Sequence, residues 1–258
     1  MKKALLVVSF GTSYHDTLEK NITAIENDIA TALPGRMLVR AFTSGMIIKK
    51  LRERDGVMVL NVSEALEKLL AEGYTDLVMQ PTHVLNGDEY DKLCHLAHPF
   101  ETRFEHFAVG TPLLTDVIDY HEVAKAMLTE LPEKRNDTSL VFMGHGTEHH
   151  ANAVYAMLEY VFHDMGRTDI YIGTVEGYPA FDEILRRLRE RKKAQNVVLY
   201  PLMVVAGDHA KNDLAGENGD SWKSLLEKEG YRVTCVLRGL GENSGIRKIF
   251  VKHAREAE

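Results

Sequence analysis

Short, continuously apolar runs alternate with stretches of helical periodicity along this chain, and that alternation limits its fold more than any other feature. "KALLVVSF" (Lys3 to Phe10) reads as a strand, and Thr17 to Leu33 has helical spacing that stops at Pro34-Gly35. "MLVRAF", "DLVMQP" and "FAVGTPLL" read as further strands, with helices over Val62 to Glu72 and Tyr120 to Leu131. The second half repeats the theme with strands "SLVFMG", "DIYIGTV", "NVVLYPLMV" and "RVTCVL". Its helices are expected over Ala151 to Met165, Phe181 to Lys193 and Ser221 to Gly230. A strand that is apolar at nearly every position has no solvent face. The pattern therefore predicts an α/β fold of parallel sheets covered by helices on both sides. The polar stretch "LPEKRNDT" (Leu131 to Thr138) is the candidate linker, which divides the chain into lobes 1–132 and 133–258. A final helix from about Ser244 to Glu258 is free to return to the first lobe.

The two halves also share residues. "LLVVSFGTSYHD" aligns with "LVFMGHGTEHHA", which places Phe10-Gly11-Thr12 on His145-Gly146-Thr147. "FTSGMIIKKL" aligns more loosely with "TVEGYPAFDEIL" and sets Ser44 against Glu176. "VMQPTHVLNGDEY" aligns with "VLYPLMVVAGDHA" and sets Glu89 against His209. Each marker falls where a strand ends and a loop begins. In parallel sheets that carboxyl edge is where ligands bind. The glycines are common to both halves, as tight strand-to-loop turns require. The residues beside them differ: Phe10, Ser44 and Glu89 in one half, His145, Glu176 and His209 in the other.

Two imidazoles and a carboxylate make a first shell for a divalent first-row ion, with positions left open for water or substrate. The set does not choose between cobalt, nickel, iron and zinc. In the first half, Glu89 is a carboxylate able to accept protons, although an acid at a helix N-terminus is also stabilised there by the macrodipole. Phe10 is suited to lie against a flat aromatic ligand, and Gly11, Thr12 and Ser13 offer donors to substrate carboxylates. His83 lies near the same edge, while His149 and His150 are expected on a solvated face.

Composition excludes several classes. The net charge of -7 and the lack of a basic tract argue against nucleic-acid binding. No apolar run approaches the ~18 residues of a membrane span. The apolar run after Lys2-Lys3 is short and leads to no small-residue cleavage site, so it is a first strand and not a signal peptide. Two lone cysteines, Cys94 and Cys235, point to a reducing compartment and a cytoplasmic location. There is no phosphate loop and no nucleophile elbow, and "GLGENSG" has its third glycine one residue late for a dinucleotide site.

"LLVVSFGTSYHDT", "RAFTSGMIIKKLRERDG", "NGDEYDKL", "VFMGHGTEHHA", "VEGYP", "PLMVVAGDHAKNDLAGENGDSWK" and "GLGENSGIR" together resemble the CbiK-type cobalt chelatases of the class II, ATP-independent group. The resemblance covers almost the whole chain. It implies a two-lobed chelatase-like fold and insertion of Co2+ into sirohydrochlorin in anaerobic cobalamin synthesis, without ATP or another nucleotide. It further implies that His145, Glu176 and His209 hold the metal, that His145 also accepts pyrrole protons, and that Glu89 assists from the opposite lobe. The alternatives are a chelatase for another metal such as Fe2+ and another tetrapyrrole, a non-catalytic metal or haem carrier, and a small-molecule binding protein with incidental histidines. No membrane or nucleic-acid partner is expected, and the oligomeric state, a homo-oligomer included, stays open.

Overall fold

The computed structural model describes residues 1–191 and 194–258. Contacts divide it into one unit of residues 1–115 and 244–258 and a second of residues 116–243. The division falls at Thr115/Asp116 and not at the polar stretch before residue 133. Helix α6 (Val117–Leu128) packs on α7 (Ala153–Asp164), and Asn243 Nδ2 donates to the Ala126 carbonyl at 2.9 Å, so that helix belongs to the second unit.

In the first unit, β1 (Lys3–Ser9), β2 (Met37–Phe42), β3 (Leu60–Asn61), β4 (Asp76–Pro81) and β5 (His106–Val109) form a wholly parallel sheet in the order β3-β2-β1-β4-β5. β1 and β4 are interior strands, and every residue of both except Lys3 is buried, which accounts for their mostly apolar character. One face carries Ala4, Leu6 and Val8 against Leu66 and Leu69 of α4 (Val62–Ala71) and Leu93 of α5 (Asp88–Ala97). A helical run on this unit comprises α1 (His15–Thr17), the π-helical Leu18–Thr23 and α2 (Ala24–Ala32). α2 packs with the C-terminal helix α10 (Ser244–Ala257), which also contacts β4 and β5. α3 (Gly45–Asp55) starts at an N-cap, Ser44, and stops at Gly56, whose φ of 67° is left-handed.

The second unit repeats this plan. β6 (Thr138–Gly144), β7 (Ile170–Thr174), β8 (Asn196–Pro201) and β9 (Arg232–Cys235) form a parallel sheet in the order β7-β6-β8-β9, equivalent to β2-β1-β4-β5. Val141, Met143, Val197 and Leu199 face Ile184 and Leu188 of α8 (Phe181–Glu190) and Trp222 and Leu226 of α9 (Trp222–Lys228). The helix expected to run to Lys193 ends at Glu190, and Lys192 and Lys193 lie outside the described residues. Among the described residues, no helix is long and apolar enough to cross a membrane.

Candidate metal centre

The second unit brings His145, Glu176 and His209 together, with one ligand atom from each lying within 4.8 Å of the others. His145 follows β6 and Glu176 follows β7. The two connections stay hydrogen-bonded beyond the strands: Val175 N donates to the Gly144 carbonyl at 3.1 Å and Glu176 N to the His145 carbonyl at 2.8 Å. The first unit makes the same pair of bonds, Thr43 N to the Ser9 carbonyl at 2.9 Å and Ser44 N to the Phe10 carbonyl at 3.2 Å. Ser44 and Glu176 therefore occupy equivalent places, although their local sequences align only loosely.

The glycines around His145 make this approach feasible. Gly146 has φ +83°, and a Cβ there would lie 2.5 Å from the Gly177 nitrogen. At Gly144 a Cβ would lie 2.3 Å from the Tyr155 ring, whose hydroxyl accepts from Gly146 N at 3.2 Å. From the sequence these glycines were expected to serve tight strand-to-loop turns. In the structure their first task is to let neighbouring chain segments pass close to the histidine.

Ring orientation is set by hydrogen bonds at Nδ1. His145 Nδ1 lies 2.9 Å from the Gly146 carbonyl, and His209 Nδ1 lies 2.7 Å from Asp213 Oδ2. A carbonyl can only accept, so His145 carries its proton on Nδ1 and leaves Nε2 with a free lone pair. The same tautomer follows for His209 beside a carboxylate. The rings meet edge to face with centroids 4.8 Å apart. His145 Nδ1 is also 3.8 Å from Glu176 Oε2. Both histidines and Glu176 are at least partly exposed, so the donor atoms are reachable.

Two contributors escape the sequence reading. Asp213 lies in the π-helical turn Ala210–Leu214, one turn beyond His209. Asn152 joins the two ligand loops: its Oδ1 accepts from Thr147 N at 3.1 Å and its Nδ2 donates to the Tyr178 carbonyl. The spacing of Asp213 from His209, four residues on one helical face, was a readable signal for the first. Nothing local signals the second. His149 caps the next turn by accepting from Ala151 N at 3.1 Å, and its ring lies tilted against that of His150 with centroids 3.9 Å apart.

At the carboxyl edge of the first unit, Phe10 is 44% exposed and open to a flat ligand. Thr12 and Ser13 are buried, contrary to the expectation that they present donors to substrate. The Thr12 hydroxyl accepts from Tyr14 N at 3.2 Å and pairs with the Thr17 hydroxyl at 3.0 Å, which uses it to shape the loop before α1. Gly11, at φ +103°, lets the chain pass the Phe42 ring, 2.6 Å from where a Cβ would stand.

Glu89, in the first turn of α5, has Oε1 3.6 Å from Lys92 Nζ. Its Oε2 is shielded from solvent, as are both ring nitrogens of His83, and none of the three has a hydrogen-bond partner among the described residues. Leaving a buried polar atom unpaired costs about 1–3 kcal/mol. Burial pushes the His83 imidazole down to about 4, against the opposing pull of the Glu89 carboxylate.

Comparison with known proteins bears on the family and the fold. The family model "Cobalt chelatase (CbiK)" matches residues 3–258. A sirohydrochlorin cobaltochelatase of Salmonella typhimurium is 48% identical over 257 residues, spanning 100% of this chain and 97% of that protein. The sirohydrochlorin cobaltochelatase CbiKC of Nitratidesulfovibrio vulgaris is 34% identical over 265 residues, 99% of this chain and 90% of that protein. Among solved structures, SirB from Bacillus subtilis with Fe3+ superposes with a TM-score of 0.65 at 14% identity, covering 100% of this chain and 96% of that one, a likeness of fold. By a family match that spans all but its first two residues, the chain belongs to the CbiK cobalt chelatase family.

Proposed function

We propose that this protein is a sirohydrochlorin cobaltochelatase, inserting Co2+ into sirohydrochlorin in cobalamin synthesis. The observation that carries the reading is the convergence of His145, Glu176 and His209 in a chain 48% identical to a protein of that name. Co2+ is a substrate here. Two neutral imidazoles and one carboxylate hold it with a net charge of one and leave coordination positions open, so the ion can exchange these ligands for ring nitrogens. The Nδ1 bonds on both histidines would leave Nε2 of each ring available to ligate the ion.

Insertion releases two pyrrole protons. A metal-bound imidazole nitrogen has no lone pair left for a proton, so His145 serves first as ligand and afterwards as base. Glu89 supplies a carboxylate that never binds the metal and accepts a proton throughout. Phe10 supports one face of the macrocycle, and Gly11, Thr12 and Ser13 shape the loop beside it. The exchange of ligands needs no nucleotide, in keeping with the absence of a phosphate loop. Two unpaired cysteines, both half-buried, fit a reducing compartment, and the cytoplasm is the proposed location.

The test is anaerobic absorbance spectroscopy of sirohydrochlorin with Co2+. Wild type is expected to accelerate the spectral shift of metal insertion, and His145→Ala is expected to lose that acceleration. A wild-type rate equal to the uncatalysed one would overturn the reading. Competition with Fe2+ in the same assay separates a cobalt from an iron chelatase.

A further inference from the structure

We propose that Asn152 is a positioning residue of the metal centre: by fastening the Glu176 loop to the His145 loop it fixes the spacing of those two ligands, and with it the affinity of the site for Co2+. The proposal rests on the chelatase reading for the identity of the ion. For the residue it rests on a comparison of the two units.

Hydrogen bonds fix the register between them. In the first unit Tyr14 N donates to the Thr12 hydroxyl at 3.2 Å, and in the second His149 N donates to the Thr147 hydroxyl at 3.0 Å. Three residues further on, Thr17 and Asn152 therefore occupy the same place. Their side chains behave differently. The Thr17 hydroxyl meets the Thr12 hydroxyl at 3.0 Å and donates to the Tyr14 carbonyl at 3.1 Å, so it stays within its own loop. Asn152 reaches out of its loop. Its Oδ1 accepts from Thr147 N at 3.1 Å while its Nδ2 donates to the Tyr178 carbonyl on the far loop. An amide carries an acceptor and a donor on separate arms, which a hydroxyl does not.

The glycines show the same contrast. Gly45 and Gly177 follow the equivalent residues Ser44 and Glu176. A Cβ at Gly45 would meet nothing within 4 Å. One at Gly177 would stand 2.4 Å from Asn152 Oδ1 and 3.1 Å from Thr147 N. Of these two glycines, only the one beside the metal ligand is packed against a brace.

The brace bears on Glu176 because little else orients that ligand. Both imidazoles are held by their Nδ1 bonds. The Glu176 side chain is 59% exposed, and its approach to His145 Nδ1, at 3.8 Å, is longer than a hydrogen bond. Its place is therefore set by its backbone. Thr174 N and the Thr174 hydroxyl donate to the Pro179 carbonyl at 2.7 and 3.1 Å, which closes the Glu176 loop on itself. Asn152 then ties that closed loop to the loop of His145. A ligand ordered before the ion arrives spares binding the entropy of ordering it.

The test titrates wild type, Asn152→Thr, Gly177→Ala and Gly45→Ala with Co2+ alone, read by the visible absorbance of the bound ion. Steady-state metallation of sirohydrochlorin and thermal unfolding accompany it. Asn152→Thr copies the first unit. Gly177→Ala drives a methyl group into the bridge and leaves Asn152 in place, and Gly45→Ala makes the same change where there is room. Asn152→Thr and Gly177→Ala are each expected to weaken Co2+ binding about 10–100-fold and to raise the KM for Co2+, with the KM for sirohydrochlorin within about twofold of wild type. The spectrum of the bound ion is expected to change as the carboxylate leaves its shell. Gly45→Ala is expected to bind Co2+ as wild type does. A residue serving only the fold would lower Tm and leave the spectrum as it was. The brace is overturned if Asn152→Thr or Gly177→Ala keeps the wild-type affinity and spectrum, or if Gly45→Ala weakens binding as much as Gly177→Ala. A wild type that binds Co2+ and fails to metallate sirohydrochlorin overturns the chelatase reading alone, because the titration with Co2+ reads the brace directly.

Discussion

Single side chains decide whether the three ligands meet. A methyl group at Gly146 would stand 2.5 Å from a backbone nitrogen and 2.8 Å from Thr174 Cβ, at a φ that side-chain-bearing residues avoid. Gly146→Ala is therefore expected to cost about 2–4 kcal/mol, from the left-handed backbone and the overpacking together. Denaturant unfolding measures that loss, and Co2+ titration should show weakened binding as the His145 and Glu176 loops part. Asp213 acts more gently. Asp213→Ala frees His209 to rotate and to change tautomer, and is expected to weaken Co2+ binding about 10–100-fold with Tm little changed. Asp213→Asn can still accept from Nδ1–H and should lie between, which the visible absorbance of bound Co2+ would report. His83 has a pH signature of its own. Its folded pKa lies below the unfolded value of ~6.5, so the stability it contributes is present above about pH 6.5 and declines as pH falls toward 4.

At the scale of elements, strands bury one ion pair on which the first sheet depends. Asp76 at the start of β4 accepts from Arg36 Nη1 at 2.6 Å, and both side chains are nearly sealed. Burial by itself would raise the Asp76 carboxyl. The hydrogen bond and charge of Arg36, helped by His106 and Lys3, outweigh it and hold the carboxyl below its usual range. Its contribution is therefore present above about pH 3.9 and is lost as pH falls through the lower folded value. Asp76→Asn is expected to cost about 1–3 kcal/mol at pH 7, since it leaves the buried Arg36 guanidinium only the half-exposed Glu258 as a carboxylate partner, and to flatten acid unfolding at low pH. Circular dichroism across an acid titration of both proteins checks the two halves of that statement. The elements were unequally legible. β2 and β4 match the sequence reading residue for residue. α3 was not anticipated, and of α5 only the helix start at Glu89 was considered: "GMIIKKLRERD" and "DEYDKLCHLA" are rich in charge and bury few residues, so their periodicity is faint. β5 stops at Val109, short of the apolar run ending at Leu114, where Gly110 packs against the Gln80 side chain.

For the molecule as a whole, the chain order and the units do not coincide. α10 follows the second unit in sequence and belongs to the first, where Arg247 donates to Asp28 at 2.6 Å, and Arg36 donates to Glu258 just beyond the helix at 3.1 Å. Ile246, Ile249 and Phe250 bury its apolar side. Removing residues 244–258 is thus expected to destabilise the first unit selectively, by several kcal/mol given three large buried side chains. Calorimetry should then show an earlier transition for that unit, with the transition of the second unit and its Co2+ binding retained.

Pattern and repetition alone determined the α/β class, the parallel sheets, the duplication and the identity of the residues at the ligand edge, because each is written in local periodicity or in short markers repeated in order. The tertiary structure decided what those residues do to one another. Glu176 reaches His145 only through backbone bonds between loops that lie 31 residues apart in the chain. The tautomers of His145 and His209, the burial of Thr12 and Ser13, and the unpaired nitrogens of His83 likewise arise from contacts made across loops and turns. A sequence names donors and acceptors, but only packing determines which of them find partners and which are left for a substrate.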